Sequence, residues 1–180
     1  MKLAVFASGS GTNFENLVKS GIPVDFLFTD KSDAKALERA EKLGIKSYTF
    51  ELKTFTSKAD YEREILSLLE AYEIDLIVLA GYMKIVGDVL LQRYEGRIIN
   101  IHPAYLPEFP GAHGILDAWK AGVSQSGVTI HYVDAGVDTG KIIAQERVPI
   151  LPDDTLERFE ARIHEKEYAL YPQVLKDILD

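Results

Sequence analysis

A chain of 180 residues without a single cysteine forms no disulfide, offers no thiol nucleophile and cannot hold zinc or an iron–sulfur cluster through thiolates. Its 47% hydrophobic and 27% charged residues suit one globular domain with a sizeable core, and the net charge of -8 argues against nucleic-acid binding while permitting a local anion pocket. The first apolar run, ended by Ser8-Gly9, is too short for a signal sequence or a membrane span, so the cytoplasm is the expected location.

In chain order, Leu3–Ala7 reads as a buried strand, and Asn13–Lys19 as a helix. Val24–Phe28 is the next strand. The helix expected over Ala34–Leu43 carries Ala36, Leu37, Ala40 and Leu43 at helical spacing and stops at Gly44, a good C-cap. A third helix, Lys58–Tyr72, gathers Tyr61, Ile65, Leu68, Leu69 and Tyr72 on one face. Leu76–Leu79 and Arg97–Ile101 complete a strand–helix–strand pattern that implies an α/β fold: an open, mostly parallel twisted sheet with right-handed crossovers. Further on, Ser126–Val133 and Lys141–Val148 alternate like half-exposed strands around the turn-rich Asp134–Gly140, predicting a C-terminal antiparallel pair. A final long helix runs from Thr155 to about Ile178, with Pro172 expected to kink or divide it.

The turn Ser8-Gly9-Ser10-Gly11-Thr12-Asn13 joins the first strand to the first helix. Glycines permit a tight turn there, and free N–H groups at a helix start can hold an anion. A plain turn capped by Ser10 or Thr12 is the competing reading. Phe14 replaces the third glycine of a dinucleotide fingerprint and no Walker lysine follows, so a phosphate monoester suits the loop better than NAD or a nucleoside triphosphate. Asp30, at the end of the second strand, is then a turn residue.

Asn100 and His102 stand two apart on a strand, so they share a face, at the carboxyl end where α/β proteins bind ligands. A hydrogen-bonded pair anchoring the loop after Pro103 would explain them structurally; a catalytic pair would explain them chemically. Asp138, in Val137-Asp138-Thr139-Gly140, either caps its own turn or swings beside His102, where a carboxylate favours the imidazolium. An amide donor, a histidine and a carboxylate in one cleft suit direct acyl transfer to an amine, with no covalent nucleophile. The four histidines at 102, 113, 131 and 164 show no metal-ligand spacing, and His131 reads as a surface or paired residue.

Over essentially its whole length the sequence resembles the glycinamide ribonucleotide formyltransferases. Ala7–Phe14, Ala80-Gly81-Tyr82-Met83, Ile99-Asn100-Ile101-His102-Pro103, Leu106-Pro107, Pro110-Gly111-Ala112-His113, Val137–Gly140 and Glu167–Pro172 carry the likeness. The resemblance implies transfer of the formyl group of 10-formyltetrahydrofolate to glycinamide ribonucleotide, in purine biosynthesis, without a metal. It implies Asn100, His102 and Asp138 as the catalytic trio and Gly11, Thr12 and Asn13 as the phosphate loop. Glu167, and His164 one turn earlier, would meet the ribonucleotide. Met83, Lys84, Ile85 and Val86 would line the folate pocket, with Lys58 near the folate tail where the family often has arginine. His113 would support the aspartate loop; Ile115 stands where some members carry another histidine. The competing readings make His164 and Glu167 solvated helix residues, Lys58 merely the start of its helix, and Met83 and Ile85 simple core. The resemblance further implies one domain over 1–180, with about 1–100 as the phosphate-binding half and about 101–180 as the folate-binding and catalytic half, acting as a monomer or homodimer. Methionyl-tRNA formyltransferase would need a further RNA-binding domain, and formyltetrahydrofolate hydrolase a regulatory one.

Overall fold

The protein is described by a computed structural model covering residues 1–180. Seven strands, β1 (Leu3–Phe6), β2 (Phe26–Thr29), β3 (Ser47–Thr49), β4 (Leu76–Leu79), β5 (Ile98–His102), β6 (Gln125–Tyr132) and β7 (Ile142–Pro149), form one sheet in the order β3-β2-β1-β4-β5-β6-β7. Pairing is parallel from β3 to β5 and antiparallel from β5 through β7. The predicted open sheet with its antiparallel pair is therefore what the chain adopts.

Six helices cover the sheet: α1 (Thr12–Lys19), α2 (Lys35–Leu43), α3 (Lys58–Ala71), α4 (Asp88–Arg93), α5 (Gly114–Ala121) and α6 (Leu156–Leu179). Alternation along β1 sends Leu3 and Val5 into one core, shared with α1 and α6, and Ala4 and Phe6 into another, shared with α3 and α4. No residue of β1 is exposed, which is why its sequence is continuously apolar. The same holds for much of β6: Val128 and Ile130 are buried, and so are the alternating Thr129 and His131. The expectation of half-exposed alternation there fails because both faces of β6 are covered.

α4, α5 and β3 are short elements that the sequence pattern did not announce. α6 is the long final helix expected, and of the two readings of Pro172 the dividing one fails, since the residue lies inside one helix of 24 residues. A proline cannot donate to the carbonyl four residues back. Here that carbonyl, on Tyr168, instead accepts from the Asn16 side-chain Nδ2 at 2.9 Å. The Tyr171 hydroxyl, also buried, donates to the Leu79 carbonyl at 2.7 Å. These two bonds dock α6 against α1 and the sheet, with Glu167 facing inward. No helix is long and apolar enough to cross a membrane.

Candidate active site

Strand order reverses between β1 and β4, the crevice where open α/β sheets bind ligands at the carboxyl ends of their strands. A cleft of about 560 Å³ opens there and continues past β5, a volume suited to small-molecule ligands. Its walls are the turn Gly9–Asn13, the segment Leu79–Val86, the end of β5, the loop around Asp138, and His164 with Glu167 from α6. It therefore draws on both sides of residue 100. Of the implied ribonucleotide and folate residues, only Lys58 does not line it; that side chain is exposed at the start of α3.

The glycine turn is shaped for an anion. Gly11 is the N-cap of α1, in the left-handed region at φ 73°, so neither Ser10 nor Thr12 caps the helix as the plain-turn reading required. No N–H from Gly9 to Phe14 finds an acceptor within the chain. The Asn13 Oδ1 atom is buried beside them without a partner. Unsatisfied polar groups of this kind are costly unless a ligand or water meets them. His164 Nδ1 faces Glu167 Oε1 at 2.7 Å, and the bond with Glu167 raises the histidine above its ordinary range despite partial burial.

Asn100 and His102 project together from β5, as their spacing predicts, and Asp138 meets them. Asp138 Oδ2 lies 3.5 Å from His102 Nδ1 and accepts from the Gly111 N–H at 2.7 Å. The carboxylate thus belongs to the cleft and not to its own turn. Asp138 sits at φ 55°, a left-handed backbone that aspartate adopts more readily than most residues. Burial pushes its carboxyl up, but the facing His131, the Gly111 N–H and the charge of His102 outweigh burial, and the net direction is down. It is held as an anion.

The Phe109 carbonyl lies 2.8 Å from His102 Nε2. A carbonyl can only accept, so Nε2 carries a hydrogen and Nδ1 is the nitrogen free to exchange a proton. The loop that supplies Phe109 and Gly111 is itself fixed. Thr129 Oγ1 donates to the Ala104 carbonyl at 2.8 Å and accepts from the Leu106 N–H at 3.0 Å, while Gln145 Nε2 donates to the Leu106 carbonyl at 2.7 Å.

Sequence reasoning passed over His131. The residue is paired, as one of its readings held, yet it is buried at the heart of the site and not on the surface. Antiparallel pairing sets it directly opposite Asn100. Its Nδ1 donates to the Tyr132 carbonyl at 2.9 Å, which leaves Nε2 facing Asn100 Nδ2 at 3.5 Å and Asp138 Oδ1 at 3.6 Å. Only the strand register could have revealed this. His113 departs from expectation in the opposite sense: its side chain is exposed before α5 and makes no hydrogen bond, and the group that bonds the Asp138 carboxylate is the Gly111 N–H. Asp30 follows β2 as a turn residue, buried, with Lys84 Nζ 3.6 Å from its Oδ2.

A sequence model of the formyl transferase family matches residues 1–175. The phosphoribosylglycinamide formyltransferase of Bacillus subtilis is 49% identical over 99% of this chain and 94% of its own length. The crystal structure of phosphoribosylglycinamide formyltransferase from Streptococcus pneumoniae superposes with a TM-score of 0.98 at 66% identity, covering 99% of each chain. That of glycinamide ribonucleotide transformylase 1 from Geobacillus kaustophilus gives 0.96 at 50% identity, covering 99% of this chain and 98% of its own. With a site built from a bare helix start and an Asn–His–Asp cluster, and with relatives matched along their full lengths, the chain belongs to the formyl transferase family, in its phosphoribosylglycinamide formyltransferase branch.

Proposed function

We propose that the cleft transfers the formyl group of 10-formyltetrahydrofolate to the amine of glycinamide ribonucleotide, in the cytoplasm, as a step of purine biosynthesis. The observation that carries this reading is the convergence of Asn100, His102 and Asp138 beside a helix start whose N–H groups lack acceptors. The phosphate of the ribonucleotide is assigned to Gly11, Thr12 and Asn13, with His164 and Glu167 completing that end. The folate is assigned to Met83, Lys84, Ile85 and Val86, where Met83 and Ile85 are exposed apolar side chains at the cleft mouth.

The amine attacks the formyl carbon, forming the new C–N bond while negative charge collects on the formyl oxygen. Asn100 Nδ2 has two hydrogens. One faces the His131 ring, 3.5 Å from its Nε2, and the other is available to the oxygen. His102, protonated at Nδ1, is the second donor, and the Asp138 anion stabilises its positive charge. Preorganised donors cost no reorganisation as the charge develops. The bond to the folate nitrogen then breaks, and the proton lost by the amine ends on that nitrogen. The ribonucleotide supplies the acceptor and the folate the acyl carbon, so no covalent enzyme intermediate is required.

Mixing the protein with 10-formyltetrahydrofolate, with and without glycinamide ribonucleotide, tests the assignment through the absorbance change on deformylation. Turnover only with both substrates is expected. Equal turnover without the amine would make the protein a hydrolase, and no turnover with both would reject the reading.

A further inference from the structure

The segment Gly9–Asn13 receives a single side-chain hydrogen bond, and its donor lies outside the cleft. Arg39, on α2, donates from Nε to the Ser10 carbonyl at 2.6 Å. Three residues earlier on the same helix, the Ala36 N–H donates to the Gly9 carbonyl at 3.1 Å. In a planar trans peptide the carbonyl and the following N–H point in opposite directions. Drawing the Gly9 and Ser10 carbonyls toward α2 therefore turns the Ser10 and Gly11 N–H groups away from α2. Both of those N–H groups are among the ones without an acceptor. The fit is close: a Cβ placed on Gly11 would stand 2.6 Å from Ala36 Cβ.

Arg39 also handles a charge conflict. Glu15 is the one acidic residue in the first turn of α1, the turn that faces the anion. Lys19 and Arg39 hold its carboxyl below the usual range, so it stays ionised and would repel a phosphate if left alone. The Arg39 NH1 group binds that carboxylate directly, while Lys19 pairs with it from one helical turn later. One guanidinium thus orients the turn and offsets the adverse charge behind it.

We propose that Arg39 is a positioning residue for the ribonucleotide phosphate, acting through the Ser10 carbonyl and the Glu15 carboxylate without touching the ligand. This rests on the reading of the glycine turn as the phosphate seat. It predicts a selective defect. Arg39→Leu raises the KM for glycinamide ribonucleotide about tenfold, the usual scale for losing a hydrogen bond to a charged group. The KM for 10-formyltetrahydrofolate and kcat at saturation stay within about twofold, because Asn100, His102 and Asp138 are held by other elements. Arg39→Lys, which keeps the charge, gives a smaller rise.

Steady-state kinetics with each substrate varied in turn reads the split, and Asn13→Ala serves as the control for the phosphate seat. A raised ribonucleotide KM in both Asn13→Ala and Arg39→Leu, with folate KM and kcat unmoved in the latter, is the expected result. If Asn13→Ala raises that KM and Arg39→Leu leaves it unchanged, the inference fails while the reading of the turn survives. If neither change moves it, both fall. A parallel deterioration of both KM values and kcat in Arg39→Leu would mark a general structural role and overturn the proposal. Should Arg39→Leu not fold, Arg39→Gln is read by the same criteria.

Discussion

Replacing Asp138 by asparagine tests the electrostatic core of the site with little collateral change. Asparagine has nearly the same shape, tolerates the left-handed backbone at φ 55°, and keeps an oxygen to accept the Gly111 N–H. What disappears is the negative charge 3.5 Å from His102 Nδ1. At that separation and an effective dielectric of about 20, the attraction between carboxylate and imidazolium is about 5 kcal/mol. Partial access of water to the cleft reduces what is realised, and a loss of about 3–4 kcal/mol in the transition state corresponds to a kcat lower by roughly 10²–10³. Both KM values should stay within about threefold, since the phosphate and folate contacts lie elsewhere. The assay is the absorbance change on deformylation under saturating substrates. The wild-type pH profile adds a check with a definite sign. The Asp138 carboxyl is held down, so the activity that depends on its charge persists above the ordinary carboxylate range and is lost only as pH falls through the lowered value. The asparagine variant should lack that acidic limb. A kcat within fivefold of wild type, or an unaltered acidic limb, would refute the electrostatic role.

Gly11→Val should raise the KM for the ribonucleotide more than that for the folate, because the new Cβ collides with Ala36 at a backbone angle valine avoids; equal KM changes for both substrates would return the turn to a purely structural role. Asn16→Leu removes the donor that replaces the missing Pro172 hydrogen bond, and denaturant unfolding should record a loss of about 1–3 kcal/mol. Unchanged stability would show that the Tyr168 carbonyl needs no partner. The bond with Glu167 raises His164, so its contribution to the fold is complete below the ordinary histidine range and fades as pH rises through the raised value. Melting temperatures of wild type and Glu167→Gln should therefore converge toward alkaline pH, and a gap independent of pH would count against the pair.

Some of the site was legible because its signals are local. Asn100 and His102 announce themselves as two polar residues on one face of an apolar strand, and period-two geometry alone puts them side by side. The glycine turn is equally local, since a strand, two glycines and a helix lie within about a dozen residues. His131 was illegible for the opposite reason. Its place beside Asn100 depends on which residue of β6 pairs with which residue of β5, and a shift of one residue would send it to the other face. His113 shows the limit of a resemblance, for a matching position does not guarantee that the side chain points at the loop it is meant to support. Arg39 looked like any charged residue on a helix surface until α2 was packed against the turn.

By itself, the order of apolar runs and turn residues determined a mostly parallel open sheet, the antiparallel pair, the long last helix, and three polar residues at strand and loop ends. Such features follow from steric and burial periodicity within short stretches, which neighbouring residues settle among themselves. Tertiary structure decided that Asp138 closes on His102, that His131 joins them, that Asn16 satisfies the carbonyl freed by Pro172, and that Arg39 grips the glycine turn. Each is a contact between segments far apart in sequence, fixed only when strand register and helix docking set their separation to within a hydrogen bond's length.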